Sequence, residues 1–251
     1  MTFLNVGQGD SILVRSGTEF LLVDSGEPGN EEIIKRELNR QGGERLQTVV
    51  ATHPHADHIG SFPELFAQVG VGRVILPEAN ANILENPALY ERFLTGVRRS
   101  GARVELAIPG KTYSLGSATF TILGPIHRAE NPNNVSVVLR LVFGSVSFLL
   151  TGDAEVDEEQ TILQSGRSVK STVLKCGHHG SDTSTSPTFL NSVSPKYAVI
   201  SCGKNNSYGH PAPQTLNILR RHRIRIFRTD RMGNIYFGTD GKRLKTAVEE
   251  K

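Results

Sequence analysis

The sequence holds no tryptophan, two cysteines and two methionines, and only 6% of its 251 residues are aromatic. Two cysteines, Cys176 and Cys202, cannot build a disulfide framework or an all-cysteine zinc ribbon. Scarce aromatics argue against a surface that reads nucleobases one after another. Charge of one sign is lacking too: 28 Lys and Arg stand against 25 Asp and Glu, a net +3 that does not by itself point to nucleic acid. No apolar run approaches the ~18 residues of a membrane-spanning helix. Phe3 to Val6 already reads as structure, so no targeting segment is expected ahead of it and the chain is expected to be soluble. Apolar content of 37% with 21% charged residues excludes disorder as the main state, and the length suits one domain over residues 1–251.

What is present is glycine and proline, 25 and 12 of them, spread along the chain as turns between short elements. Residues 11–14 and 20–23 are apolar runs joined by a turn, a hairpin signal. Residues 31–40 carry Ile33, Ile34 and Leu38 at helical spacing and stop at Gly42-Gly43. Strands are predicted at 48–52, 74–76, 103–106 and 118–123, with a helix over 87–99. A second hairpin spans 135–143 and 146–150. Beyond it, helices at 155–163, 187–193 and 215–221 alternate with strands at 172–175, 197–201 and 224–227. Hairpins followed by strand–helix alternation, twice over, predict an α/β fold of two mixed sheets with helices outside.

The densest cluster of polar chemistry is Thr52-His53-Pro54-His55-Ala56-Asp57-His58, directly after a buried-type strand. Three imidazoles and a carboxylate so close together suit a first-row divalent metal, with neutral His and ionised Asp as ligands. Alternating spacing sends His53 and His55 to one side while Asp57 and His58 turn towards a neighbouring position, so one segment can serve two ions. The competing reading is a polar loop rich in histidine. A second piece, Leu149-Leu150-Thr151-Gly152-Asp153-Ala154-Glu155, ends an apolar strand in Gly-Asp. Alone, Asp153 reads as the N-cap of the following helix. Beside the first cluster it reads as a carboxylate bridging two metals ~3.5–4 Å apart. The third piece is Lys175-Cys176-Gly177-His178-His179-Gly180-Ser181, again after a strand. One of its histidines suits a ligand, the other a hydrogen bond or proton towards substrate. His210 also falls near a strand end, whereas His127 and His222 read as surface residues. Cys176 and Cys202 end successive strands and read as core thiols, with a disulfide or a ligand role as the alternatives.

With these residues in order, the chain resembles the metallo-β-lactamase superfamily, whose signature is H-x-H-x-D-H followed by a Gly-Asp bridge and late histidine motifs. Within it, the chain is similar to the extramembrane metallo-β-lactamase-like domain of the ComEC competence-protein family. That likeness rests on Phe3-Leu-Asn-Val-Gly-Gln-Gly-Asp-Ser11, Asp24-Ser-Gly26, the His/Asp cluster, Asn133-Asn-Val-Ser136, Thr151-Gly-Asp-Ala-Glu155, His178-His-Gly-Ser181 and Gly209-His-Pro211, over about residues 2–237. The resemblance implies an αββα sandwich. By position it puts His53 and His55 on one metal and Asp57 and His58 on the other. Asp153 bridges the two, and His179 (or His178) completes the second site. The chain departs from the wider superfamily where many members place a further His, having Asn133, Asn134 and Ser136 instead. A first site with fewer nitrogen ligands makes Mn²⁺ as plausible a cofactor as Zn²⁺.

Two divalent ions around a shared carboxylate activate water at neutral pH and clamp an in-line displacement at phosphorus. The expected reaction is hydrolysis of a phosphodiester. Asp57, His178 and His210 are the candidate catalytic residues, His178 or His210 stabilising the transition state or protonating the leaving oxygen. Ser181, Lys204, Arg223 and Arg225 are candidate substrate contacts. Residues 196–231 carry eight Lys and Arg against Asp230 alone, a net +7, which suits the phosphate backbone of DNA without base-specific reading. Arg223 and Arg225 alternate with Ile224 and Ile226 and are predicted on one face of a strand, either as a phosphate track or as protection of a sheet edge. Tyr208 is the best-placed aromatic. The resemblance further implies a nuclease, expected to be exonucleolytic, that degrades one DNA strand during natural transformation while the other enters a membrane channel. That places the domain on the extracytoplasmic face of the membrane. The alternatives are a hydrolase of a small phosphodiester such as a phosphorylcholine ester, a thioesterase or β-lactamase, or a DNA-binding module with a vestigial metal site.

Overall fold

Apolar side chains on both faces of the first two runs make them interior strands. Ile12–Ser16 and Glu19–Val23 pair as an antiparallel hairpin with Leu13 opposite Leu22. Faces alternate along a strand, so Ile12, Val14, Leu21 and Val23 enter one core while Leu13, Phe20 and Leu22 enter another. The structure, a computed structural model, describes residues 1–127 and 129–249.

Eight strands form the first sheet, in the order Leu244–Val248, Ile235–Thr239, Thr2–Phe3, Ile12–Ser16, Glu19–Val23, Thr48–Val50, Arg73–Leu76 and Arg103–Leu106. Seven form the second: Arg225–Arg228, Tyr197–Ile200, Val173–Lys175, Val146–Leu150, Val138–Phe143, Ala118–Gly124 and Thr112–Leu115. Each sheet is antiparallel in one half and parallel in the other. Phe3, Phe120, Phe148 and Phe237 fill the space between the sheets. Helices Glu31–Arg40, Phe62–Phe66 and Pro87–Ser100 cover the outer face of the first sheet, and Val156–Gln164, Pro187–Val193 and Pro213–Arg221 that of the second. The result is the αββα sandwich. Local signals set the helix ends: the Asn86 side chain accepts the Leu89 N–H at 3.1 Å, and Gly101 closes the same helix at φ +67°.

The structure departs from the sequence expectations in several places. The C-terminal hairpin Ile235–Thr239/Leu244–Val248 and the strand Thr112–Leu115 were not expected, nor the short helices Ala56–Ile59 and Phe62–Phe66. Residues 135–143 do not form one strand. Pro132–Val135 is a 3-10 turn and the strand starts at Val138. Asn134 and Ser136 are drawn off to accept the N–H groups of Glu155 and Asp153, at 2.9 and 3.0 Å. Arg223 stands outside its expected strand, in a turn with φ +56° that follows helix Pro213–Arg221. Cys176 and Cys202 are free buried thiols, both pushed up to about 12 by burial.

Among the described residues, no helix is long and apolar enough to cross a membrane. Glu158, buried on helix Val156–Gln164, accepts the Ile126 N–H at 2.8 Å and the Thr161 hydroxyl at 3.0 Å. Burial raises its carboxyl from the ordinary 4.5 to about 7. The folded chain therefore holds this proton more tightly than the unfolded chain, and stability falls as pH rises between those two values. Glu158→Gln keeps both contacts without the charge. It should gain ~2–3 kcal/mol over the parent at about pH 8 and flatten the slope of stability between about pH 5 and 7. Urea denaturation across that range checks this; an unchanged slope would place the titration elsewhere.

Candidate metal centre

Parallel strands in one sheet end at the same rim, and here both sheets bring that rim to one place. Asp24 follows Glu19–Val23, His53 follows Thr48–Val50, Asp153 follows Val146–Leu150, and His179 follows Val173–Lys175. Backbone at the strand ends turns sharply to present these side chains. Asp24, His178 and His179 all adopt positive φ, at 60°, 48° and 53°.

Four side chains converge tightly. His179 Nε2 lies 3.0 Å from Asp57 Oδ2 and 3.1 Å from Asp153 Oδ2, and His58 Nε2 lies 3.3 Å from both Asp153 Oδ2 and His179 Nε2. The fifth separation, His58 Nε2 to Asp57 Oδ1, is 3.8 Å. An ion held tetrahedrally at ~2.1 Å by four ligands sets them ~3.4 Å apart. The fit is good. Both ring orientations are fixed from behind. Asp24 Oδ2 accepts from His58 Nδ1 at 2.7 Å, and the Ser201 carbonyl accepts from His179 Nδ1 at 3.0 Å. Burial opposes charge on both rings, yet the surrounding carboxylates, Asp153 first among them, raise His58 well above its usual range and His179 to about 9. A proton held there is one that a divalent cation would displace.

A second pair lies alongside. His53 Nε2 and His55 Nδ1 face each other at 3.0 Å, with Asp153 Oδ2 at 4.0 Å from His53 Nε2. Burial, with His58 nearby, holds His53 well below its ordinary value, and burial lowers His55 as well, so both rings are neutral donors suited to a metal. Asp153 thus stands between the two groups. Among the described residues no third histidine joins His53 and His55. Ser136 stands behind the His53 ring, its hydroxyl 3.4 Å from Nδ1 and accepting the Asp153 N–H, while Nε2 is the atom turned to His55.

Two residues that sequence reasoning passed over complete the centre. Asp10 groups with His58, Asp153 and His179 within 4.8 Å, all four buried. Lys175, fully buried, places Nζ 2.5 Å from Asp10 Oδ2 and 3.6 Å from Asp153 Oδ1, and donates to the Gly152 carbonyl at 3.0 Å. Asp10 Oδ1 is buried with no hydrogen-bond partner, and Asp153 Oδ1, also without one, faces the Lys175 ammonium while Oδ2 is turned to the histidines. The Gly7-Gln-Gly9 turn makes the approach of Asp10 possible. A Cβ on Gly9, where φ is +114°, would lie 2.1 Å from the Asp57 carbonyl, and the Asp10 N–H donates to that carbonyl at 3.1 Å. An Asp after Gly-Gln-Gly and a Lys ending an apolar strand were the only signals.

The remaining candidates are placed as follows. His178 is at the mouth, with Nε2 4.0 Å from Asp153 Oδ2 and Nδ1 near Thr183 and Glu155 at 3.2 and 3.3 Å. His210 sits behind it, ring centroids 5.3 Å apart, its titration lowered to about 4 by burial and by His178 and His179. Ser181 lies two residues beyond His179. It is buried, and its hydroxyl is taken up by Thr183. Lys204 is exposed in the loop beside His210. Arg223 and Arg225 do not share a strand face, and they lie at the far rim. Arg225 pairs with Tyr197 at the start of its neighbour, whereas Arg228 pairs with Ile200 at the metal end. Arg225 stacks over the Phe227 ring at 5.0 Å on the edge strand.

Asp24→Asn should weaken metal binding ~10–100-fold without loss of fold, read by competition with a chelating dye. Unchanged affinity would show that His58 needs no orientation. Lys175→Met leaves Asp10 buried and unpaired and should cost ~3–5 kcal/mol in chemical denaturation of the metal-free chain. A loss below ~1 kcal/mol would show that the pair is not structural.

Comparison with known proteins agrees with this geometry. The metallo-beta-lactamase superfamily model matches residues 4–204. ComE operon protein 3 of Bacillus subtilis (strain 168) is 33% identical over 93% of this chain and 32% of its own length. Competence protein ComA of Neisseria gonorrhoeae is 36% identical over 95% of this chain and 32% of its own length. The chain therefore spans about a third of these relatives. Among solved structures, the metallo-beta-lactamase fold protein YhfI from Bacillus subtilis superposes with a TM-score of 0.58 at 16% identity, covering 90% of this chain and 95% of that one, which is a likeness of fold. A chain matched by the family model over four-fifths of its length, from residue 4 to residue 204, belongs to the metallo-beta-lactamase superfamily, and this one is a metal-dependent hydrolase with ComEC-type competence proteins among its relatives.

Proposed function

We propose that the domain is a nuclease that hydrolyses DNA phosphodiesters with two divalent ions, Mn²⁺ or Zn²⁺. The observation that carries this reading is the position of Asp153 between His53/His55 on one side and Asp57/His58/His179 on the other. Two ions held there would activate water and neutralise charge developing at phosphorus.

The chain's own residues do the rest. Asp24 and Ser201 hold His58 and His179 in the orientation that turns Nε2 inward. Lys175 fixes Asp153 from the opposite side of its carboxylate. Thr183 and Glu155 occupy Nδ1 of His178, which leaves Nε2 at the mouth as the atom to pass a proton to the leaving oxygen. His210, held neutral, backs His178 and offers a hydrogen bond. Lys204 at the rim suits a non-bridging phosphate oxygen.

Support for DNA as the substrate comes from the competence proteins among the relatives and from the cationic segment 196–231. In a ComEC-like setting the domain stands on the extracytoplasmic face of the membrane, beside a channel formed by the same or a partner protein, and degrades the non-transforming strand.

End-labelled single- and double-stranded DNA, incubated with Mn²⁺, Zn²⁺, Mg²⁺ or chelator, tests the proposal. Cleavage should require metal and fall at least ~100-fold in Asp57→Ala and Asp153→Ala. Absence of cleavage under every condition would sink the nuclease reading. Cleavage that survives both substitutions would move the active site elsewhere.

A further inference from the structure

Beside the metal centre, the loop from Gly203 to Pro211 is tied down at both ends. The Gly203 N–H donates to Gln8 Oε1 at 3.1 Å, and a Cβ on Gly203 would meet the Gln8 nitrogen at 2.9 Å, so loop and Gly7-Gln-Gly9 turn pack in direct contact. Asn206 closes the loop on itself. Its amide donates to the carbonyls of Gly203 and His210 at 2.9 and 2.6 Å, and its Oδ1 accepts the His210 N–H at 3.0 Å. A loop with this many internal bonds is an organised platform.

Two things sit on it. Tyr208 is 67% exposed, the most exposed large apolar side chain described. Its ring stacks on His210 at 5.8 Å and 24°, and the His210 ring is 5.3 Å from His178 and 6.5 Å from His179. A row of rings therefore runs from solvent to the metal centre. Next to it a trough of about 420 Å³ is lined by Lys204, Asn206, His210, Arg228 and Arg231. Arg228 is committed to Asp230 through two bonds of 2.9 and 2.6 Å, while Lys204 and Arg231 are exposed. His210 Nδ1 is buried and has no hydrogen-bond partner.

We propose that this loop and trough form a subsite for one unpaired nucleotide next to the scissile phosphate. Tyr208 stacks on its base, and Lys204 and Arg231 hold its phosphate. A base inside a duplex already has both faces stacked, so the subsite favours single-stranded DNA or a frayed end. Recognition is by stacking and charge, with no preference among bases. The inference rests on DNA being the substrate.

Binding by the full chain is measured in chelator by fluorescence anisotropy, with a labelled oligothymidylate and an abasic strand of equal length. Cleavage of the same strands is followed in Mn²⁺. Tyr208→Ala should weaken binding of the base-bearing strand ~5–100-fold and leave the abasic strand unchanged, with Tyr208→Phe restoring the difference. A 2-aminopurine base in the strand should lose fluorescence on binding to the parent and not to Tyr208→Ala. Lys204→Glu with Arg231→Glu should weaken both strands alike and reduce the logarithmic salt slope by ~0.7. Equal effects of Tyr208→Ala on both strands, or none on either, overturn the subsite while metal-dependent cleavage leaves the nuclease reading standing. A parent chain that neither binds nor cleaves any strand overturns both.

Discussion

Burial of negative charge at one rim is the constraint on which the rest of the structure depends. Asp10, Asp24 and Asp153 are buried and Asp57 is nearly so, against a single ammonium, Lys175. With every imidazole neutral, as ligation requires, these groups sum to three net negative charges; without metal, protons held on His58 and His179 offset part of that. Removing a carboxylate from water costs several kcal/mol unless a cation or hydrogen bonds compensate. Asp24 is compensated by Thr52 and His58, and Asp10 by Lys175 on one oxygen only. Asp153, with one oxygen lacking any hydrogen bond, and Asp57 are left facing the histidines. The arrangement is costly as protein alone and stable around cations.

The fold makes that concentration of charge possible. Parallel halves of two stacked sheets bring several strand ends to one rim, where backbone N–H groups are free to bond side chains. Ser136 and Asn134 interrupt their strand to accept the N–H groups of Asp153 and Glu155. Thr52 bonds Asp24 through both its N–H and its hydroxyl. Each ligand is thus held by a residue from a different segment, and none depends on a single loop. The far edges of the sheets carry none of this chemistry.

Much of this was legible in the chain. Helices such as Glu31–Arg40 and Pro187–Val193 follow from periodicity and caps, and the two layers follow from the repeated order of hairpin and alternation. The three His/Asp motifs stood out because imidazole and carboxylate rarely cluster without a metal. What sequence reading missed has physical causes. Asp10 sits in a turn, where an aspartate is ordinary, and only the folded chain brings it to residues far along the sequence. Lys175 ends an apolar strand, and nothing near it in sequence marks it as buried, because the carboxylates that make its burial tolerable come from elsewhere. Arg223 breaks the apparent alternation of residues 223–226, since its left-handed backbone follows a helix end and does not begin a strand. The C-terminal hairpin escaped notice because its outer strand is largely exposed and carries little apolar pattern.

The cationic segment illustrates why position matters more than count. Its net +7 is divided between the two ends of one edge strand. Arg225, at the far end, lies over Phe227 and charges an edge that would otherwise invite pairing with another chain. Lys204, Arg228 and Arg231 lie at the metal end beside His210. Two divalent ions, once bound, would offset the carboxylates gathered at the rim, and under the proposed function a phosphate next to the one being cleaved would meet Lys204 and Arg231 beside that centre. The same charges at the far end of the edge strand would have no such part, because no ligand of the centre reaches them.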